Sequence, residues 1–207
     1  MRIIECVQGS EAWHMARLGI PTASNFGKIV TPAGALSKQA DAYLHRLVAE
    51  RLLGRPVDET DAAWMERGQV MEAEAIAFFE LQRGVDVRRV GFVTTDDGVA
   101  GCSPDGLVGD DSGLELKCPS AAVHCGYLLD VEPRRYWPQI QGALWITERS
   151  RWNFLSYCPE LPPALTDYER DEDYIAKLAP AVREFAARVD EAHGRLAALI
   201  GQERRSA

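Results

Sequence analysis

The sequence predicts a single α/β domain with a central mixed β-sheet flanked by helices, and three observations carry that expectation. Helical periodicity dominates the first third of the chain. Short alternating runs broken by tight turns fill the middle. A helix, a strand and a long helix then follow one another to the end. At 207 residues, with 46% hydrophobic and 26% charged side chains, the chain can bury one large core. The expected division is a helical part over 1–85, sheet and helices over 86–160, and a C-terminal helix over 170–200.

Each element has its own signal. Ser37 is the expected N-cap of a helix through Leu53, with Ala40, Leu44, Leu47 and Val48 at helical spacing and Gly54 as the stop. A second helix is expected from Trp64 to Arg83, with Val70, Ala73, Ala77 and Leu81 on its apolar side and Gly84 ending it. Val90 to Thr95 reads as a strand, and Asp96-Asp97-Gly98 as a turn. A strand run from Val99 to Val108 and another from Leu114 to Lys117 flank the turn Gly109-Asp110-Asp111-Ser112-Gly113, which makes them a hairpin. Arg134 to Thr147 reads as helix apart from Pro138, Arg151 to Tyr157 as strand, and Asp171 to Ile200 as a long helix.

Composition excludes several classes. No apolar run approaches the ~18 residues a membrane span needs, and the opening Met1-Arg2-Ile3-Ile4-Glu5-Cys6 does not resemble a signal peptide. The five cysteines include no C-x-x-C pair and read as reduced cytosolic thiols. A zinc site from Cys118, His124 and Cys125 lacks a fourth ligand. The net charge of −8 argues against a nonspecific nucleic-acid coat. It is compatible with a nuclease whose carboxylates hold metal and whose arginines line one channel. Arg88-Arg89, Arg134-Arg135, Arg149 and Arg151 are the candidates for that lining.

The chemistry concentrates in Ser103-Pro104-Asp105-Gly106 and the following Glu115-Leu116-Lys117. Glu115 and Lys117 are two apart on an expected strand and leave one face together. The hairpin brings them beside Asp105, so two carboxylates and an ammonium meet. Carboxylate oxygens suit Mg²⁺ or Mn²⁺, and the Leu116 carbonyl is a further oxygen donor. Lys117 is placed to orient or deprotonate a water, or to offset charge on a phosphate in transfer. The ordinary alternative is a solvated hairpin carrying surface charges.

The Pro-Asp…Glu-x-Lys arrangement resembles the PD-(D/E)xK nuclease superfamily. The fuller string from Cys102 to Leu107, with Leu114 to Pro119, is similar to the phage lambda exonuclease or YqaJ-type family of viral recombinases. Gln8-Gly9, Ala12-Trp13-His14, Arg17-Leu18-Gly19-Ile20, Thr22-Ala23-Ser24, Gly68 with Glu72, and Gln139-Ile140-Gln141 with Leu144-Trp145 carry the same resemblance in order over residues 7–157. It implies that Glu72 completes a metal cluster with Asp105, Glu115 and Leu116, whereas Glu74, about 200° away around the helix, is solvated. It favours Gln139 over Gln141 as the active-site glutamine, and a backbone-bonded buried glutamine is the alternative for either. It places Arg17 and Ser24 on a terminal 5′-phosphate, where a cap and a surface charge would be the plain reading. It puts an apolar wedge near Trp64 and Met65, for which core packing is the alternative.

The function so implied is a Mg²⁺-dependent 5′→3′ exonuclease, with Mn²⁺ as a substitute ion. It degrades one strand of linear duplex from 5′-phosphorylated ends and leaves 3′ overhangs for phage or prophage recombination. The implied partners are double-stranded DNA with a free end, two further copies in a homotrimeric ring, and a single-strand annealing protein, in the bacterial cytoplasm with no membrane. A structure-specific endonuclease or a Cas4-like end processor is the alternative within the superfamily. The dispersed cysteines do not supply the iron–sulfur cluster of the latter. A catalytically dead scaffold usually lacks a carboxylate or the lysine, and all four residues are present here.

Overall fold

The computed structural model describes residues 1–57, 62–129 and 134–206, with side chains described for 1–57, 71–129 and 134–202. In chain order the elements are β1 (Arg2–Ile4), α1 (Glu11–Arg17), a 3₁₀ helix (Ala23–Lys28), α2 (Ala40–Leu53), α3 (Ala62–Arg83), β2 (Val87–Arg88), β3 (Phe92–Thr94), β4 (Gly101–Cys102), β5 (Gly106–Val108), β6 (Ser112–Lys117), α4 (Ala121–Leu129), a 3₁₀ turn (Arg134–Tyr136), α5 (Trp137–Thr147), β7 (Arg151–Ser156), β8 (Ala164–Glu169) and α6 (Glu172–Ser206).

The strands form a five-stranded sheet in the order β2-β5-β6-β7-β8 and a three-stranded sheet in the order β1-β3-β4. In the larger sheet only β6 and β7 run parallel, so it is mixed, as the sequence predicts. A parallel neighbour requires a crossover, and α4 and α5 supply it. Packed on α5 are the 3₁₀ helix Ala23–Lys28 and α6, while α2 lies along α6. Phe26, Tyr43, Leu47, Ile140, Leu144, Phe154 and Phe185 are buried in the principal core between these layers. A second cluster joins Ala75, Ile76 and Phe79 of α3 to Leu114, Leu116 and Leu155 beneath the sheet. Among the described residues, no helix is long and apolar enough to cross a membrane.

Several local expectations need correction. The run Val99–Val108 is not one strand: β4 joins the small sheet and β5 the large one, and Asp105 sits at the switch between them. Gly106 permits the second pairing, because a Cβ there would lie 2.1 Å from Cγ1 of Val87 on β2. Ser37 does not cap α2; its hydroxyl accepts from the Gln39 N–H at 3.3 Å, and the helix begins three residues further on. At the far end Gly54, with φ 64°, lets the chain leave α2 in the left-handed conformation.

The helix α3 also turns differently from the expected face. Ala73, Ala77 and Leu81 point to solvent, Leu81 being 86% exposed, while Ala75, Ile76 and Phe79 go inward. Two stripes at helical spacing compete here, and the one with the larger apolar area is buried. Not anticipated at all are β1, α1, β2, α4 and β8. The last is an edge strand whose outward residues are polar, with only Tyr168 buried.

Candidate active site

The inward turn of α3 decides where Glu72 goes. It is three, four and seven residues before Ala75, Ile76 and Phe79, so it shares their face and points to the sheet. Its carboxylate lies within electrostatic reach of Glu115 and Lys117, and Arg89 stands 3.8 Å away. Burial, ahead of the other influences, holds its carboxyl above the usual range, while Arg89 and Lys117 pull the other way. Glu74 points outward, but is not merely solvated: it accepts from the Tyr157 hydroxyl at 2.7 Å.

On β6 the alternation of side chains puts Glu115 and Lys117 on one face, as expected. The Lys117 ammonium is 2.5 Å from Glu115 Oε1, and Gln139 Nε2 donates to the same oxygen at 2.6 Å. Asp105 is fixed from below, its Oδ2 accepting from the Leu116 N–H at 2.6 Å. Burial, then the nearby Glu115 carboxylate, raise the Asp105 carboxyl to about 8. For Lys117 burial works toward neutrality, but Glu115 and Asp105 outweigh it and the ammonium is held more tightly than usual. The Tyr136 ring centroid lies 5.2 Å from the same ammonium.

Hard oxygen donors crowded so closely that they repel one another are the donor set a divalent cation relieves, and Asp105 with Glu115 fits such a cation. The expected four-part ligand set is not preassembled, however. Among the described residues, no three acidic, histidine or cysteine side chains converge as a metal cage. Glu115 is engaged by Lys117 and Gln139, and Glu72 faces Arg89.

Arg17 and Ser24 come to the same place from the other side. At the end of α1, Arg17 stacks on Trp13, 4.0 Å from the ring centroid, and its Nη1 donates to Ser103 Oγ at 2.7 Å. Trp13 Nε1 donates to that hydroxyl at 2.9 Å. Ser24 is exposed at the start of the 3₁₀ helix, and its hydroxyl lies 3.4 Å from that of Thr22. A cavity of about 180 Å³ is lined by Arg17, Ser24, Ser103, Glu115, Gln139 and Trp152. The Gln8 amide donates to the carbonyls of Val90 and Pro104, tying the N-terminal segment to the switch before Asp105. A larger cleft of about 530 Å³ adjoins it, between Gln8, Trp13, Glu72 and Arg89.

The chain matches the family described as the YqaJ-like viral recombinase domain, over residues 12–150. It belongs to that family. This YqaJ-like chain is also similar to the alkaline exonuclease LHK-Exo from Laribacter hongkongensis, with 29% identity, a TM-score of 0.83, and coverage of 93% of this chain and 99% of that one. A crystal structure of LHK-Exo in complex with dAMP gives 31% identity over the same shares, again with a TM-score of 0.83. A phage-related exonuclease from Haemophilus somnus 129PT shares the fold at 16% identity and a TM-score of 0.68, over 86% of this chain and 96% of that one. A shorter match is the putative uncharacterized protein ExoD of Escherichia coli K12, 32% identical over 71 residues, which are 33% of this chain and 82% of ExoD.

Other residues of the YqaJ-like domain fall away from the site. Gln141 is fully buried, its amide bridging the Glu169 carbonyl and the Asp171 N–H, so it serves the fold. Arg149 does not reach a channel; its Nη1 is taken by the carbonyls of Val108, Gly109 and Ser112, clamping the β5–β6 turn. Arg151 pairs with Asp111, and Arg88 with Glu5. His124 is buried between Ser156 and the Pro162 carbonyl, while Cys125 is exposed, so neither contributes to a zinc site. The side chains of Trp64 and Met65 lie outside the described residues. Ser103, Trp13 and Trp152 were not expected as site residues. Only the contiguity of Ser103 with Asp105 pointed to the first of them.

Proposed function

We propose that this exonuclease of the YqaJ-like family removes nucleotides 5′→3′ from 5′-phosphorylated ends of linear duplex DNA, using Mg²⁺, with Mn²⁺ as a substitute. The single observation that carries the reading is the shared cavity, which joins Arg17 and Ser24 to Glu115 and Gln139. An arginine and hydroxyls beside a carboxylate–lysine pair hold an anion at one end and hydrolyse a phosphodiester at the other. Asp105 and Glu115 would hold the ion, with the Leu116 carbonyl and Glu72 as further donors once Glu72 leaves Arg89. The ion, when bound, supplies polarisation of a phosphoryl oxygen and a more acidic water. Lys117 orients that water or offsets the developing charge, and Gln139 keeps Glu115 in place. Trp64 and Met65 are proposed as the wedge that parts the terminal pair.

The LHK-Exo complex with dAMP supports a mononucleotide-sized site in a relative of the same fold. A trimeric ring around DNA would explain how a chain of net charge −8 stays on its substrate. The 3′ overhangs it leaves would pass to a single-strand annealing protein, in a phage- or prophage-bearing bacterial cytoplasm. The test is digestion of end-labelled linear and closed circular duplex, with 5′-phosphate or 5′-hydroxyl ends and with or without Mg²⁺. Metal-dependent loss of the 5′-phosphorylated strand from linear duplex alone is expected. Cleavage of the closed circle would favour an endonuclease instead.

A further inference from the structure

The arginines that could face DNA are sorted by what they touch. Arg88 pairs with Glu5, Arg89 with Glu72 and Arg151 with Asp111, while Arg149 is spent on the carbonyls of the β5–β6 turn. Arg135 differs. Among the described residues it pairs with no carboxylate. It donates to the Tyr127 hydroxyl, and its guanidinium lies 4.9 Å from the ring centroids of both Tyr127 and Tyr136.

This seat is built outward from the sheet. Phe154 on β7 is in register with Glu115 of β6, and Tyr136 and Tyr127 pack on it with ring centroids 5.2 Å and 5.8 Å away. The two tyrosine oxygens lie 2.7 Å apart. Rings tied to each other and to a buried phenylalanine hold a planar guanidinium in one orientation, while Arg135 itself stays exposed. The Lys117 ammonium lies 5.2 Å from the centroid of the same Tyr136 ring. One aromatic ring thus serves two cations: a deep one bonded to Glu115, and an outer one without an acidic partner among the described residues. The helix α4, which supplies Tyr127, has no acidic side chain in its nine residues. In a chain of net charge −8, that leaves a surface beside the site which does not repel phosphate.

We propose that Arg135, seated on Tyr127 and Tyr136, binds an internal backbone phosphate of the DNA strand, next to the phosphate that lies at Lys117. The proposal rests on reading the Asp105–Glu115–Lys117 site as the place where the strand is cut, and it adds a contact that is indifferent to the chemistry of the strand end. The test is the salt dependence of binding to a fluorescein-labelled linear duplex, followed by anisotropy with full-length protein. Ca²⁺ at a fixed concentration is the ion, and gels check that the duplex stays intact. Each phosphate contact contributes about 0.9 to the slope of log affinity against log salt. Arg135→Gln should therefore flatten the slope by about one and weaken binding roughly tenfold at low salt. Arg135→Lys, which keeps the charge, should restore the slope. An unchanged slope in a folded Arg135→Gln protein, checked by circular dichroism, overturns the assignment. Equal losses in the lysine and glutamine variants would make Arg135 a packing residue and overturn it too. Duplexes with 5′-phosphate and 5′-hydroxyl ends should lose the same factor. A loss confined to 5′-phosphorylated ends would move Arg135 to the terminal-phosphate pocket, so that this proposal fails while the end reading stands. Loss on both ends, in an enzyme that also cuts closed circles, would leave the Arg135 contact standing and the end reading failed. A wild type that binds no linear duplex would sink both.

Discussion

In the proposed reaction Lys117 and Arg17 divide the chemistry between them, and their substitutions should fail in different ways. Lys117 touches Glu115 and stands over the Asp105 switch, so Lys117→Ala should lower the cleavage rate on every end by at least about a hundredfold. Initial rates on labelled duplex decide this, and a near wild-type rate would remove Lys117 from the mechanism. Arg17 bonds to Ser103 and to none of the carboxylates proposed to hold the ion. Arg17→Ala should therefore cut the rate on 5′-phosphorylated ends about ten- to a hundredfold and leave the slower 5′-hydroxyl rate nearly alone. Retained phosphate preference would make it a packing residue. At this scale the sequence was legible where a two-residue period sets direction: Glu115 and Lys117 could be placed from spacing, while Asp105 needed the hairpin turn, and its seat at the switch between two sheets was not foreseen. Glu72 could not be placed so, because α3 carries two apolar stripes and only the weight of Ile76 and Phe79 against the sheet selects one. Trp152 was out of reach because its position depends on a glycine 39 residues earlier in sequence, in register across a parallel pair.

Among the elements, the β3–β4 turn shows how a charged contact links a small sheet to a helix. Burial alone would raise the Asp97 carboxyl, but the Thr95 hydroxyl at 2.6 Å, the Arg183 guanidinium of α6 and the Val99 N–H draw it down to about 2. A carboxyl lowered in the folded state contributes stability above its ordinary pKa of 3.8 and loses it as pH falls toward 2. Urea midpoints of the wild type should accordingly drop between pH 4 and pH 2 by more than those of Asp97→Asn. Parallel declines would show that the contact adds nothing. Long elements such as α2, α5 and α6 could be read from periodicity. The boundary inside Val99–Val108 could not, because whether a strand continues depends on which neighbour it finds. Here the neighbours change from β3 to β2 and β6 within four residues. Edge strand β8 was missed for a related reason: its outward side chains need no apolar alternation.

For the whole molecule, the charge of −8 leaves little general attraction for DNA, and the proposed ring of three chains would supply the retention that charge does not. Light scattering should find a particle of three 22.9 kDa chains at assay concentrations, and a monomer would leave the ring without support. The fold class was legible early because helix and strand signals alternate along the chain, whereas the division into two sheets depended on contacts distant in sequence. That division has one more consequence. The crossing segment between the sheets carries both Ser103, which Arg17 grips, and Asp105, the proposed metal ligand, only two residues apart. Two residues of extended backbone reach at most about 7 Å, a length on the scale of a single nucleotide repeat. Under the proposed function the segment would act as a covalent ruler, with its zero mark at the terminal phosphate and its cutting mark one link inward. Products should accordingly be 5′-mononucleotides from the first turnover. One residue inserted after Ser103 should blur that step, which a chromatographic count of released mono- and dinucleotides would reveal.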